Sequence, residues 1–237
     1  MRRKLLLLIL ALIILSGCGF PQLELGKKVI EHPAPDLKVD YTYFESLGCF
    51  PDPACLPAEL QEIEHPVEYI SEPGNILGGL SPAFPLAIAS RRGFQPEDEI
   101  PAVHVNRCLA DQYIRFLVLV DDRIRLVDSV EALAALYAPI ESENEALSFA
   151  VAATGYSAVY DLDQPPKPRL HAEVVEETHV KTTADGYLVH LFDTYLCGCG
   201  PHIVPSVDVT VGRDGSISIG KPVEAFSDPK LDDLCVD

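Results

Sequence analysis

The chain has 237 residues, 36 of them acidic and 18 basic, for a formal net charge of −18 at pH 7. A chain this acidic does not hold nucleic acid by counterion release, which needs clustered Lys and Arg, and anionic headgroups repel it. A 48% hydrophobic fraction suffices for a packed core, while twenty prolines and no tryptophan point to short strands and extended segments.

The first residues read MRRKLLLLILALIILSGCGF. Arg2, Arg3 and Lys4 precede an apolar run from Leu5 to Leu15, about half the roughly 20 residues a helix needs to cross a hydrocarbon core. A charged start, a short apolar stretch and small residues make residues 1–17 a secretory signal peptide. Leu15-Ser16-Gly17-Cys18 resembles the lipobox of bacterial lipoprotein precursors. The resemblance implies a diacylglycerol thioether on Cys18, cleavage after Gly17, and a membrane anchor made of acyl chains, for which two or more are needed to hold firmly. It also implies an extracytoplasmic location, with Gly19 in place of aspartate favouring the outer membrane of a double-membrane cell. Removing residues 1–17 takes away three basic groups and no acid, so −18 becomes −21.

Residues 18–40, with Pro21, Pro33 and Pro35, read as a tether. Residues 41–138 read as an irregular part carrying a β-hairpin and a helix. Turn signals recur every few residues up to about 105, and His32 and His65, each before a proline, read as exposed loop residues. YIRFLVLV and RIRLV flank Asp121-Asp122 as two strands of a hairpin. Asp128-x-x-Glu131 is a capping box for a helix whose Val130, Leu133, Ala134 and Tyr137 share a face and which stops before Pro139.

Residues 139–220 read as a helix followed by an antiparallel sheet, and 221–237 as a tail. Ser142-x-x-Glu145 opens the helix and Gly155 ends it. Ala184-Asp185-Gly186 marks a hairpin; counted from an Asp-Gly turn, His190 falls opposite Lys181 and only diagonal to His179. Val207, Val209 and Val211 alternate, and Arg213-Asp214-Gly215 leads to Ile217 and Ile219. The fold class is therefore α+β. In outline it is similar to the cystatin-like folds, a helix on a curved antiparallel meander, a likeness that implies no catalytic residue.

The stretch YLCGCGPH gathers Cys197, Cys199 and His202. As a metal centre these three would draw on His190 or His179 for a fourth ligand, but zinc prefers two to four residues between cysteines. As a redox pair, Cys197 and Cys199 would form a strained disulfide without a helix N-terminus to lower a thiol pKa. The third reading is structural. With Cys18 lipidated, the cysteines Cys49, Cys55, Cys108, Cys197, Cys199 and Cys235 make an even set for disulfides in an exported chain. Cys49 and Cys55 enclose a short loop and most simply bridge each other, leaving Cys108 and Cys235 for Cys197 and Cys199.

Ser148, Ser157 and Ser206 lack a nucleophile elbow, Gly78-Gly79 lacks the Lys of a phosphate loop, and Asp161 and Asp163 lack the rest of an EF-hand. The expectation is a non-catalytic, lipid-anchored binding module of the cell envelope with no cofactor, its membrane partner reached through Cys18. A metal or redox protein built on Cys197, Cys199 and His202 is the alternative.

Overall fold

A computed structural model describes residues 26–93, 100–164 and 166–236; Cys18 and the lipobox lie outside them. The described chain is mixed helix and sheet, with mostly antiparallel sheets and, among the described residues, four α-helices.

Strand β1 (Lys28–Ile30) is followed by two short helices, α1 (Thr42–Ser46) and α2 (Ala58–Gln61). Next come β2 (Tyr69–Ser71), β3 (Leu86–Gly93), β4 (His104–Asn106), β5 (Asp111–Val120) and β6 (Arg123–Val127). These five make one antiparallel sheet in the order β2-β3-β5-β4, with β6 sharing the β4 edge of β5 farther along. Asp121 and Asp122 turn β5 into β6 with φ of 51° and 59°. Two successive positive φ values mark the type I′ turn, whose twist matches the flanking strands.

Helix α3 (Val130–Tyr137) is capped by Ser129 and not by Asp128. Ser129 is extended and its Oγ accepts from the Ala132 N–H at 3.1 Å. Helix α4 (Glu143–Thr154) begins at Ser142, whose Oγ accepts from the Glu145 N–H at 3.2 Å. The Glu145 carboxylate reaches back to the Glu141 N–H at 2.7 Å, a capping box displaced by one residue. Gly155 ends the helix at φ 73°, in the left-handed region that favours glycine.

The second half continues with β7 (Arg169–Leu170), β8 (Val174–Glu176), β9 (His179–Thr182), β10 (Gly186–Phe192), β11 (Gly198–Cys199), β12 (Ile203–Gly212), β13 (Ile217–Ile219), β14 (Val223–Ser227) and β15 (Cys235–Val236). The second sheet runs β7-β14-β12-β10-β9, with β13 also on β12. Two ribbons complete the set, β1 with β8 in parallel and β11 with β15 antiparallel.

In α4, Ala146, Leu147, Ser148, Phe149, Ala150, Ala152 and Ala153 are all buried, so over this span only the side of the half-buried Val151 approaches water. One continuous core joins Phe116 and Val118 of the first sheet, Leu133 and Tyr137 of α3, and Val189, Leu191, Val207 and Val209 of the second. Side chains alternate across a strand, so the far face of the second sheet carries Leu188, His190, Ser206 and Asp208. Part of that face is closed by a small separate core of Leu162, Val175, Phe192, Val204 and Ala225. The far face of the first sheet is covered by Phe44, Cys49, Leu56 and Val67 from the irregular segment before β2.

Part of the stretch expected as a tether belongs to the folded body. Val29 packs on the small core, the Glu177 N–H donates to the Ile30 carbonyl at 2.9 Å, and the Leu86 N–H donates to the Asp40 carbonyl at 2.8 Å. Residues 28–40 thus strap the second sheet to the first.

Candidate functional site

All six cysteines of the described chain are bridged: Cys49 to Cys55, Cys108 to Cys197, and Cys199 to Cys235. Cys199 and Cys235 are register partners in the β11–β15 ribbon, with Cα atoms 4.0 Å apart. Cys197 reaches instead to the loop after β4. His202 is buried, and its Nε2–H donates to the Leu234 carbonyl at 2.9 Å. With the sulfurs bridged and the ring nitrogen on a carbonyl, Cys197, Cys199 and His202 go to three different partners. The stretch fastens the C-terminal tail and the β4–β5 loop to one end of the second sheet.

The chemistry-bearing groups gather elsewhere, on the far face of the second sheet. The β9–β10 hairpin turns at Ala184-Asp185, one residue earlier than the Asp-Gly count assumed; the Thr183 N–H donates to the Gly186 carbonyl at 2.9 Å. That places Leu188 opposite Lys181 and His190 directly opposite His179. Gly186 is already in the strand, where a Cβ would run into the Val211 carbonyl oxygen of β12. Its role is close approach between backbones and not a left-handed turn.

Three imidazoles stack along this face. His32 lies on His179 with ring centroids 4.4 Å apart, and His179 lies 5.2 Å from His190. His32 was expected in an exposed loop; its side chain is instead only 29% exposed. It is held there by Glu177, a fully buried carboxylate that accepts from the His32 N–H at 3.0 Å and from the Leu162 N–H at 2.6 Å.

Beside the stack, the Glu176 Oε2 lies 3.7 Å from His32 Nε2, 3.5 Å from His179 Nε2 and 3.7 Å from Lys181 Nζ. His179 Nδ1–H donates to the Glu177 carbonyl at 2.8 Å, which leaves the lone pair of the neutral ring on Nε2. Burial pushes the His179 pKa down, and the neighbouring Lys181, His190 and His32 push the same way, against the carbonyl hydrogen bond. His190 Nδ1–H donates to the Asp208 carboxylate at 2.7 Å. A recess of about 210 Å³ opens on this face, with Glu176, His179, Lys181, His190 and Asp208 in its wall.

The sequence set His179 and His190 diagonal, put His32 in an exposed loop, and gave no signal for Glu176. The signal that could have placed the first pair was Gly186 as a strand residue. His32 and Glu176 come together through a parallel pairing of β1 with β8, about which spacing along the chain says nothing.

Among the described residues no helix is long and apolar enough to cross a membrane. Compared with known proteins, the chain matches no family model, no curated protein and no solved structure.

Proposed function

We propose that the chain is a lipid-anchored, extracytoplasmic module of the bacterial cell envelope that binds a protein or envelope component and performs no catalysis. One observation carries this reading: six of the seven cysteines are joined in three disulfides, and the seventh, Cys18, directly follows Leu15-Ser16-Gly17. Disulfides persist in oxidising compartments. A cysteine left over in such a chain needs another use, and a thioether-linked lipid supplies one. The acidic body makes the lipid, and not a basic patch, the link to the membrane. A cystatin-like outline belongs to the same reading, supported by α4 lying against β9, β10 and β12.

The test is metabolic labelling of the full chain with radioactive palmitate in a bacterial host. Label is expected in the wild-type chain and absent after Cys18→Ala. An unlabelled wild-type chain, or label that survives Cys18→Ala, overturns the proposal.

A further inference from the structure

We propose that His32, Glu176 and His179 form a binding site for a single divalent transition-metal ion of the zinc class, with a coordination position left open to the recess beside them. Among the described residues these three offer ligand atoms that all lie within 4.8 Å of one another. Tetrahedral zinc with bonds of about 2.0–2.2 Å needs ligand atoms about 3.3 Å apart. The Glu176 Oε2 already stands 3.5 and 3.7 Å from the two Nε2 atoms; the His32 and His179 rings, stacked at 27°, turn out of their stack for both lone pairs to face one ion.

The polarity of the arrangement calls for a cation. His179 Nε2 carries a lone pair because Nδ1–H is committed to the Glu177 carbonyl. The Glu176 carboxylate oxygen is an acceptor. His32 Nε2 is buried and has no hydrogen-bond partner; at 3.7 Å from Oε2 it is beyond hydrogen-bonding reach. The Glu176 carboxylate and His179 Nε2 thus offer lone pairs side by side, and the His32 tautomer with its proton on Nδ1 adds a third. An unpaired buried polar atom is costly, and an ion would satisfy His32 Nε2 while drawing on the Glu176 carboxylate and His179 Nε2 beside it.

The supporting groups resemble those that orient metal ligands elsewhere, where a second hydrogen bond fixes an imidazole's direction. The Glu177 carbonyl holds His179, and the Glu177 carboxylate holds the backbone of His32. Two imidazoles and one carboxylate suit zinc, copper or nickel; calcium and magnesium want oxygen ligands throughout. Lys181 is the resident competitor, its Nζ 3.7 Å from the same Oε2, but 59% of its side chain is exposed and it is free to swing into water. The site stands independently of the lipid anchor, so the fate of either proposal leaves the other untouched.

The probe is zinc chloride, titrated by calorimetry into the untagged full chain in detergent after chelator treatment. Cobalt serves as a spectroscopic stand-in. Binding of one ion per chain is expected at micromolar Kd or tighter, with a tetrahedral cobalt spectrum. His32→Gln and Glu176→Gln should each weaken binding at least about tenfold, and Lys181→Gln should tighten it. His32→Gln leaves the buried cores untouched, and unchanged thermal unfolding of the apo variant certifies its fold. No saturable binding, or equal affinity in wild type and a folded His32→Gln, overturns the proposal; so does tight binding that Lys181→Gln weakens.

Discussion

His179 and His190 face each other directly across the β9–β10 pair, their rings 5.2 Å apart and nearly parallel. The Ala184-Asp185 turn sets that register, and Gly186 directly after it lets β10 come close to the Val211 carbonyl of β12. A methyl group there must displace backbone and not a flexible side chain. Gly186→Ala should therefore destabilise the fold by about 1–3 kcal/mol, the usual range for forced overpacking. Urea unfolding followed by circular dichroism measures it; a loss below about 0.5 kcal/mol contradicts the close approach of β10 to β12.

The three disulfides close loops of very different length, with sequence separations of 6, 89 and 36. Loop-closure entropy ranks them at about 2 kcal/mol for Cys49–Cys55, about 4.6 for Cys108–Cys197 and about 3.8 for Cys199–Cys235. The double variant Cys108→Ser/Cys197→Ser should lose the most stability and Cys49→Ser/Cys55→Ser the least. Chemical unfolding of the two variants checks the order, and a reversed order refutes it.

His104 is expected to make stability depend on pH. Burial drives its pKa down to about 4, only partly opposed by its Nδ1–H bond to the Ala152 carbonyl at 3.0 Å. In the unfolded chain the ring titrates near 6.5. Between those values the unfolded chain binds a proton that the folded chain refuses. This contribution is whole above about pH 6.5 and falls away as the pH drops toward 4, by about 3 kcal/mol in all. Unfolding free energies from pH 7 to 4 should show a shallower acid slope in His104→Asn than in wild type; identical slopes would falsify the assignment.

Glu177 ties β1 to the loop that contains Leu162. Glu177→Ala leaves two backbone N–H groups short of their acceptor, at about 1–3 kcal/mol for each that stays dry. Glu177→Gln keeps one acceptor oxygen and should cost less. Hydrogen exchange at the His32 and Leu162 amides reads this directly, with faster exchange at both in Glu177→Ala and no change in the distant strands β3 and β5.

Local chemistry was legible wherever a few neighbouring residues decide the outcome. Asp121-Asp122 announced a turn because aspartate tolerates the left-handed region, and Ser142 with Glu145 announced a helix start. The rule blurred by one residue at Ser129, since Asp128 offers a cap of similar quality and backbone geometry chose between them. Strand β3 stayed hidden because its second half is Ser90-Arg91-Arg92-Gly93, a polar stretch that pairs with β5 and, from Arg91 on, runs beyond the end of the short β2; Arg91 is neutralised there by Glu68 at 3.4 Å. The candidate site was illegible for a different reason. His32 and Glu176 meet through a parallel ribbon between distant parts of the chain, and a one-residue shift in a turn decided whether His190 faced His179 or Lys181.

The export, three disulfides and Cys18 lipid proposed above for this chain leave a joint signature in its mass. Intact-mass spectrometry of the chain purified from bacterial membranes, without reductant, tests all three parts together. The expected species is a polypeptide beginning at Cys18, heavier by a diacylglyceryl group with its two acyl chains, and lighter by six hydrogens for three disulfides. A mass that retains residues 1–17, an unmodified Cys18, or the full complement of thiol hydrogens would contradict it.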